Sequence, residues 1–184
     1  MLRHKDFKKG YPLMNAINYT EIIKDQTKRA LWSINNVMKC VPDKYWDKNY
    51  CKMPLWKHIY HTLHSLDIWY INPRKCSEPP FHIKDLNNLD VETDKKLSRS
   101  ELKHYFQLIE KKINLYLDNI TDDLLLTKPD NCEWTRFSLI LAQHRHLHSH
   151  MGMLMGFIIV ETGSWPRVIG LEGDIPTVDY SLYF

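Results

Sequence analysis

The chain has 184 residues, of which 43% are hydrophobic and 12% aromatic, with only six glycines. This composition excludes an intrinsically disordered chain and favours a single domain over residues 1–184 that buries its own core. The formal net charge of +3 comes from Lys and Arg scattered among Asp and Glu, so we expect no nucleic-acid partner.

Neither a signal segment nor a membrane span is apparent in the sequence. Residues 1–10 carry no apolar run, and no later run is long enough to cross a bilayer. The four cysteines occur singly, without a Cys-x-x-Cys pair. We therefore expect a cytoplasmic protein with reduced thiols and no membrane partner.

Two amphipathic segments follow a polar leader. Apolar residues recur at steps of three and four from Ile17 to Val41, and this spacing predicts a first helix with one face for a core. Pro54 suits the first position of a second helix over 55–71, because its missing amide costs nothing there. Apolar side chains lie almost all round this second helix, so we expect it to be deeply buried.

A long connection separates the second helix from the third. Residues 74–97 contain a Pro-Pro pair and lack helical periodicity, which predicts a crossover loop. Ser98 and Glu101 then form a capping box, in which each side chain satisfies a free amide at a helix start. Apolar residues from Leu102 to Ile120 define the third helix.

The fourth predicted helix is the one that carries the histidines. Thr135 is its expected cap and Gly163 its expected end, and residues 163–184 form an irregular tail. Four long helices and no strand predict an all-α fold, a four-helix bundle with its core at about residues 17–162 and a long connection between helices 2 and 3.

Four histidines alternate within this fourth helix. His146 and His150 are one turn apart and share an apolar face, which makes them two of the ligands of a metal site. The second helix offers His58, His61 or His64 as a third ligand, and spacing alone does not choose among them. Burying two unpaired imidazoles in a core is costly, which favours a metal ligand role over a purely structural one.

The remaining histidines are expected on the surface. His144 and His148 project to the opposite side of the fourth helix, and His4, His82 and His104 lie in polar surroundings. No phosphate-binding glycine loop, nucleophile elbow or Glu-x-x-His pair is present in the relevant segments. We therefore expect no nucleotide cofactor and no di-iron centre, and no catalytic residue is assigned.

Two segments resemble the DinB-like (DinB/YfiT) superfamily of metal-binding four-helix bundles. The first is Arg145-His146-Leu147-His148-Ser149-His150-Met151-Gly152, similar to the fourth-helix motif Arg-His-x-x-x-His-x-Gly of that family. The second is residues 54–69, in which His61 precedes Trp69 by about two turns. The long connection and the turn from Gly163 to Pro166 fit the same outline, over about residues 17–166.

The resemblance implies a metal triad of His61, His146 and His150. Its members bind nickel, zinc or iron, often as homodimers, and some transfer a low-molecular-weight thiol to a small-molecule substrate. It therefore implies a metal-dependent thiol S-transferase or hydrolase, in which the metal lowers the pKa of a bound thiol or water.

The sequence departs from the family at Met153, where many relatives have Gln or Glu directly after the motif glycine. Asp67 is a candidate for a general base, and Tyr60 and Gln143 are candidates for orienting the imidazoles. The alternative is a non-catalytic metal- or ligand-binding or sensing protein. In that case a fourth ligand, His58, His64 or His82, would close the metal shell.

Overall fold

The computed structural model describes residues 18–184, so His4, the leader and Ile17 lie outside the described residues. Its regular structure is mostly helical, as the apolar periodicity predicts. The helices are α1 (Tyr19–Cys40), α2 (Leu55–Trp69), α3 (Arg99–Asp118), the short α4 (Asp122–Leu125) and α5 (Arg136–Thr162). None of the helices in this part of the chain is long and apolar enough to cross a membrane.

The helix ends carry the caps that the sequence predicts. The Ser98 side chain accepts from the Glu101 amide while the Glu101 carboxylate accepts from the Ser98 amide, which completes the capping box of α3. The Thr135 hydroxyl accepts from the Ser138 amide at the start of α5. Gly163 ends α5 with a φ of 72°, a left-handed conformation that a glycine adopts without a Cβ clash.

A short hairpin stands before α2, where the sequence analysis expected no strand. Strand β1 (Asn49–Tyr50) pairs antiparallel with strand β2 (Met53–Pro54). Cys51 and Lys52 join them with φ angles of 48° and 72°, the left-handed pair that a tight two-residue hairpin needs. The expectation of no strand is therefore wrong for these four residues.

Helix α2 is shorter than its periodicity predicts. Pro54 is held in the β2 pairing, so it precedes the first helical residue instead of occupying that position. At the other end α2 stops at Trp69, although we expected it to continue to Ile71. These differences of one or two residues leave the histidines of α2 within the helix.

The four long helices pack around one core, with α2 against α5 and α3, and α1 against the same two helices. The linker, residues 74–97, forms no helix and is hydrogen-bonded to side chains of α2. Leu86 of the linker is fully buried, and the Lys57 ammonium donates to the Val91 carbonyl oxygen. The linker thus explains why α2 is buried almost all round.

The tail, residues 163–184, is irregular as expected but is held against α1. The Asn36 side-chain amide donates to the carbonyl oxygens of Arg167 and Leu182, each at 2.8 Å. Pro166 and Tyr183 form an isolated antiparallel bridge within the tail. These bonds fix a segment whose sequence predicts no regular structure.

Candidate metal centre

Three partly buried histidines converge where two helices pack against each other. His61 comes from α2, and His146 and His150 come from α5. One ring nitrogen of each lies within 4.8 Å of one ring nitrogen of the other two. The ring centroids are 5.3 Å apart for His61 and His146, 4.6 Å for His61 and His150, and 4.3 Å for His146 and His150. This triad is the set that the resemblance implies.

The local structure of α5 brings two of these rings together. His146 and His150 are one helical turn apart, so their side chains lie above one another on the face that packs against α2. The buried residues around them include Gln143, Leu147 and Leu154. The apolar stripe predicted from the sequence therefore faces α2 and places both imidazoles there.

The His61 ring is oriented by the linker. Its Nδ1 lies 2.7 Å from the carbonyl oxygen of Asn87. Since a carbonyl oxygen can only accept a hydrogen bond, Nδ1 carries the proton and donates it. The lone pair of His61 is thereby left on Nε2, where it can bind a metal. In many metal sites a hydrogen bond from the other ring nitrogen fixes the tautomer and the direction of the ligand in this way.

The two histidines of α5 each have a buried nitrogen with no partner. Among residues 18–184, Nδ1 of His146 and Nδ1 of His150 find no hydrogen-bond partner. Burial lowers the pKa of His146, and the neighbouring His61 lowers it further. Burial lowers the pKa of His150 to about 4, with smaller contributions from His146, His61 and His58. Both rings are therefore neutral near neutral pH, the state that a metal ligand requires.

The donor set fits a divalent transition-metal ion. Three neutral imidazole nitrogens suit zinc, nickel, iron or copper. Three protein ligands also leave a coordination position for water or substrate. The residues present can therefore hold the metal that the sequence analysis expects.

The other two candidates on α2 are engaged elsewhere. His58 Nε2 lies 2.8 Å from the carbonyl oxygen of Tyr50 in β1. His64 Nε2 lies 2.6 Å from Glu78 Oε2, in a separate cluster with His82. Of the three candidates that spacing left open, His61 is the one that lies together with His146 and His150.

Two histidines lie in places that the sequence analysis did not expect. His144 is partly buried, and its Nε2 lies 2.9 Å from the Thr27 hydroxyl of α1, because α5 packs against α1 as well as α2. His82 was expected on the surface, but its side chain is only 12% exposed and its Nδ1 lies 2.7 Å from the Tyr60 hydroxyl. His148 and His104 are exposed, as expected.

Within residues 18–184, the groups considered for orienting ligands or moving protons form their hydrogen bonds with residues outside the triad. Asp67 accepts hydrogen bonds from Tyr105 and Lys112. Tyr60 is bonded to His82, and Gln143 accepts a hydrogen bond from Ser65. The observed orienting group is the Asn87 carbonyl oxygen, which sequence reasoning missed because a main-chain carbonyl has no sequence signal.

No protein-family model, no curated protein and no solved structure matches this chain. The function proposed below therefore depends on the geometry of the site and on the resemblance of the histidine motifs.

Proposed function

We propose that the protein binds one divalent transition-metal ion, nickel, zinc or iron, through His61, His146 and His150. The observation that carries this proposal is the convergence of three ring nitrogens within 4.8 Å of one another. A hydrogen bond to Asn87 orients one ring, and the other two keep buried nitrogens without partners among residues 18–184. Three histidines that served packing alone would be expected to satisfy those nitrogens.

We further propose that the four long helices form a DinB-like four-helix bundle. Helices α2 and α5 carry the ligands at the positions of the family motifs, and the linker joins α2 to α3 without a helix of its own. The homodimer and the small-molecule substrate that the resemblance implies belong to this same proposal. Light scattering of the purified protein tests the dimer directly.

The activity that this site favours is that of a metal-dependent thiol S-transferase or hydrolase. Three protein ligands leave room for one exogenous ligand, the arrangement of catalytic rather than structural sites. When bound, the metal supplies a Lewis acid that lowers the pKa of a coordinated thiol or water towards neutral pH. The chain itself holds the ligand rings in place, through the Asn87 hydrogen bond and through the packing of α5 on α2.

One observation favours a second candidate, a non-catalytic metal-binding or sensing role. His58 lies about one helical turn before the ligand His61 on α2. Nδ1 of His58 is buried and has no hydrogen-bond partner within the described chain. A shift of this ring would provide a fourth protein ligand and close the coordination shell.

Cobalt substitution separates these two candidates. We expect cobalt bound at an open site to change its visible spectrum when a small thiol such as 2-mercaptoethanol is added, because the thiol sulfur joins the coordination shell. The His150→Ala variant should bind one equivalent of cobalt less than wild type and lose the corresponding part of the spectrum, whereas a variant of the exposed neighbour, His148→Ala, should retain both. A cobalt spectrum that does not respond to thiol in wild type, but responds in His58→Ala, would support the closed site instead.

Activity provides the second readout. Wild-type protein with metal should transfer a small thiol to an electrophile such as an epoxide or alkyl halide, or hydrolyse an activated ester or amide. The His150→Ala variant should lose this activity while its circular dichroism spectrum stays helical. For a purely structural site, the same variant should mainly lower the melting temperature.

A further inference from the structure

A second cluster of metal-ligating side chains joins α2 to the linker. His64 of α2 is buried, with only 6% of its surface exposed, and its Nε2 lies 2.6 Å from Oε2 of Glu78. The same carboxylate oxygen lies 3.8 Å from Nδ1 of His82. One ligand atom from each of the three residues lies within 4.8 Å of the other two.

We propose that His64, Glu78 and His82 form a second binding site for a divalent transition-metal ion, with zinc as the ion that the ligands suit best. Two imidazole nitrogens and one carboxylate oxygen are a recurrent zinc ligand set, and they also suit iron. The site shares no side chain with the triad of His61, His146 and His150. It therefore stands independently of the function proposed above.

The ligand atoms are close to the spacing that a metal requires. Zinc bonds of about 2.1 Å at tetrahedral angles place neighbouring ligand atoms about 3.4 Å apart. The 2.6 Å contact between His64 and Glu78 must open, and the 3.8 Å contact between Glu78 and His82 must close, each by less than about 1 Å. The Glu78 side chain is 53% exposed, so it can make this adjustment without disturbing the core.

The surroundings hold the two imidazoles in place. The rings of His64 and His82 are stacked with centroids 4.9 Å apart, and Tyr60 packs against both. The Tyr60 hydroxyl lies 2.7 Å from Nδ1 of His82 and competes with a metal for that nitrogen. Replacing this tyrosine by phenylalanine should therefore leave metal binding equal or tighter.

Metal at this site would fix the linker on α2. Glu78 and His82 belong to the linker, whereas His64 belongs to α2, so an ion bound by all three cross-links the two segments. The same linker supplies the Asn87 carbonyl oxygen that orients His61. The second ion would thus hold the linker in place, and the orientation of His61 depends on the linker.

Equilibrium dialysis of the untagged full-length protein against zinc tests the proposal. We expect two equivalents in wild type, one in Glu78→Gln and one in His82→Gln, with affinity at the second site falling by at least about 100-fold when a direct ligand is lost. His104→Ala is the matched control, because this exposed histidine lines a cavity beside Glu78 and belongs to neither cluster. It should retain both equivalents, and so should Tyr60→Phe.

The design keeps failure of this site distinct from failure of the triad. If the triad binds no metal but the second site does, wild type holds one equivalent that Glu78→Gln removes and His61→Ala does not. If Glu78→Gln and His82→Gln bind as much zinc as wild type, the second site is overturned and the cluster is a hydrogen-bonded network only. Because Glu78 is exposed, its glutamine variant is expected to fold, and a thermal melt verifies this.

Discussion

A buried contact that joins α1, α5 and the residue after α2 leads to a specific stability prediction. The Thr27 hydroxyl lies 2.7 Å from the Tyr70 hydroxyl and 2.9 Å from His144 Nε2. Thr27 is 2% exposed and Tyr70 is 1% exposed, so water cannot replace these bonds. The Thr27→Val variant keeps the side-chain volume and leaves two polar groups without their partner.

The magnitude follows from the burial of these groups. A buried group that loses its hydrogen bond costs about 1–3 kcal/mol, and the added methyl returns about 0.8 kcal/mol. Tyr70 should carry most of this cost, since His144 is only partly buried. We expect the free energy of unfolding to fall by about 1–2 kcal/mol, which lowers the melting temperature of a chain of this size by about 2–8 °C.

Thermal and urea unfolding followed by circular dichroism measure this loss. Adding Tyr70→Phe to Thr27→Val removes the hydroxyl that has lost its partner. The free energy of unfolding of the double variant should therefore be about 1–2 kcal/mol higher than the sum of the two single effects predicts. The single variant Tyr70→Phe serves as the control for the cycle. A Thr27→Val protein as stable as wild type, or strictly additive variants, would refute this reasoning.

Two further predictions concern helix α5 and the start of α1. Gly152 is an exposed mid-helix residue, and a Cβ added there would meet no heavy atom within 4 Å. Gly152→Ala should therefore raise the free energy of unfolding by about 0.5–1 kcal/mol without changing the metal content. Gly163→Ala should lower the free energy of unfolding by about 1 kcal/mol, because the residue has a φ of 72°. Equal effects of the two changes in urea unfolding would contradict this contrast. Hydrogen bonds from Thr20 at the start of α1 hold the pKa of Asp122 below its usual range. A lowered pKa stabilises the fold above the unfolded value of 3.8, so Asp122→Asn should melt at a lower temperature than wild type at neutral pH. The difference should shrink as the pH falls below 3.8 through the lower pKa of the folded state. A difference that grows in acid would show that the sign is wrong.

The helices and their caps could be predicted because their signals are local. The pair Ser98 and Glu101, the threonine at 135 and Gly163 each act on amides or carbonyls within a few residues, and each is found in its predicted role. The pairing of His146 with His150 was likewise predictable from helical geometry alone. The choice of His61 came from the resemblance, because spacing on α2 allowed three residues.

What could not be predicted depends on the linker and on helix packing. Glu78, His82 and Asn87 lie in a segment without periodicity, so nothing local shows that they fold back onto α2. His144 was expected to face outward, because a single apolar stripe suggested one packing partner. Helix α5 in fact packs against both α1 and α2. The face towards α1 carries His144, whose ring lies against the Thr27 hydroxyl in a partly buried contact.

The central claim is that His61, His146 and His150 bind one metal ion, and elemental analysis tests it most directly. The Glu78→Gln substitution removes a ligand of the second cluster, so untagged Glu78→Gln protein should carry about one equivalent of nickel, zinc or iron after reconstitution. Adding His61→Ala should remove that equivalent, and adding His148→Ala, a change of an exposed histidine, should not. Reconstituted, folded Glu78→Gln protein without metal, or metal that persists in the His61→Ala variant, would contradict the assignment.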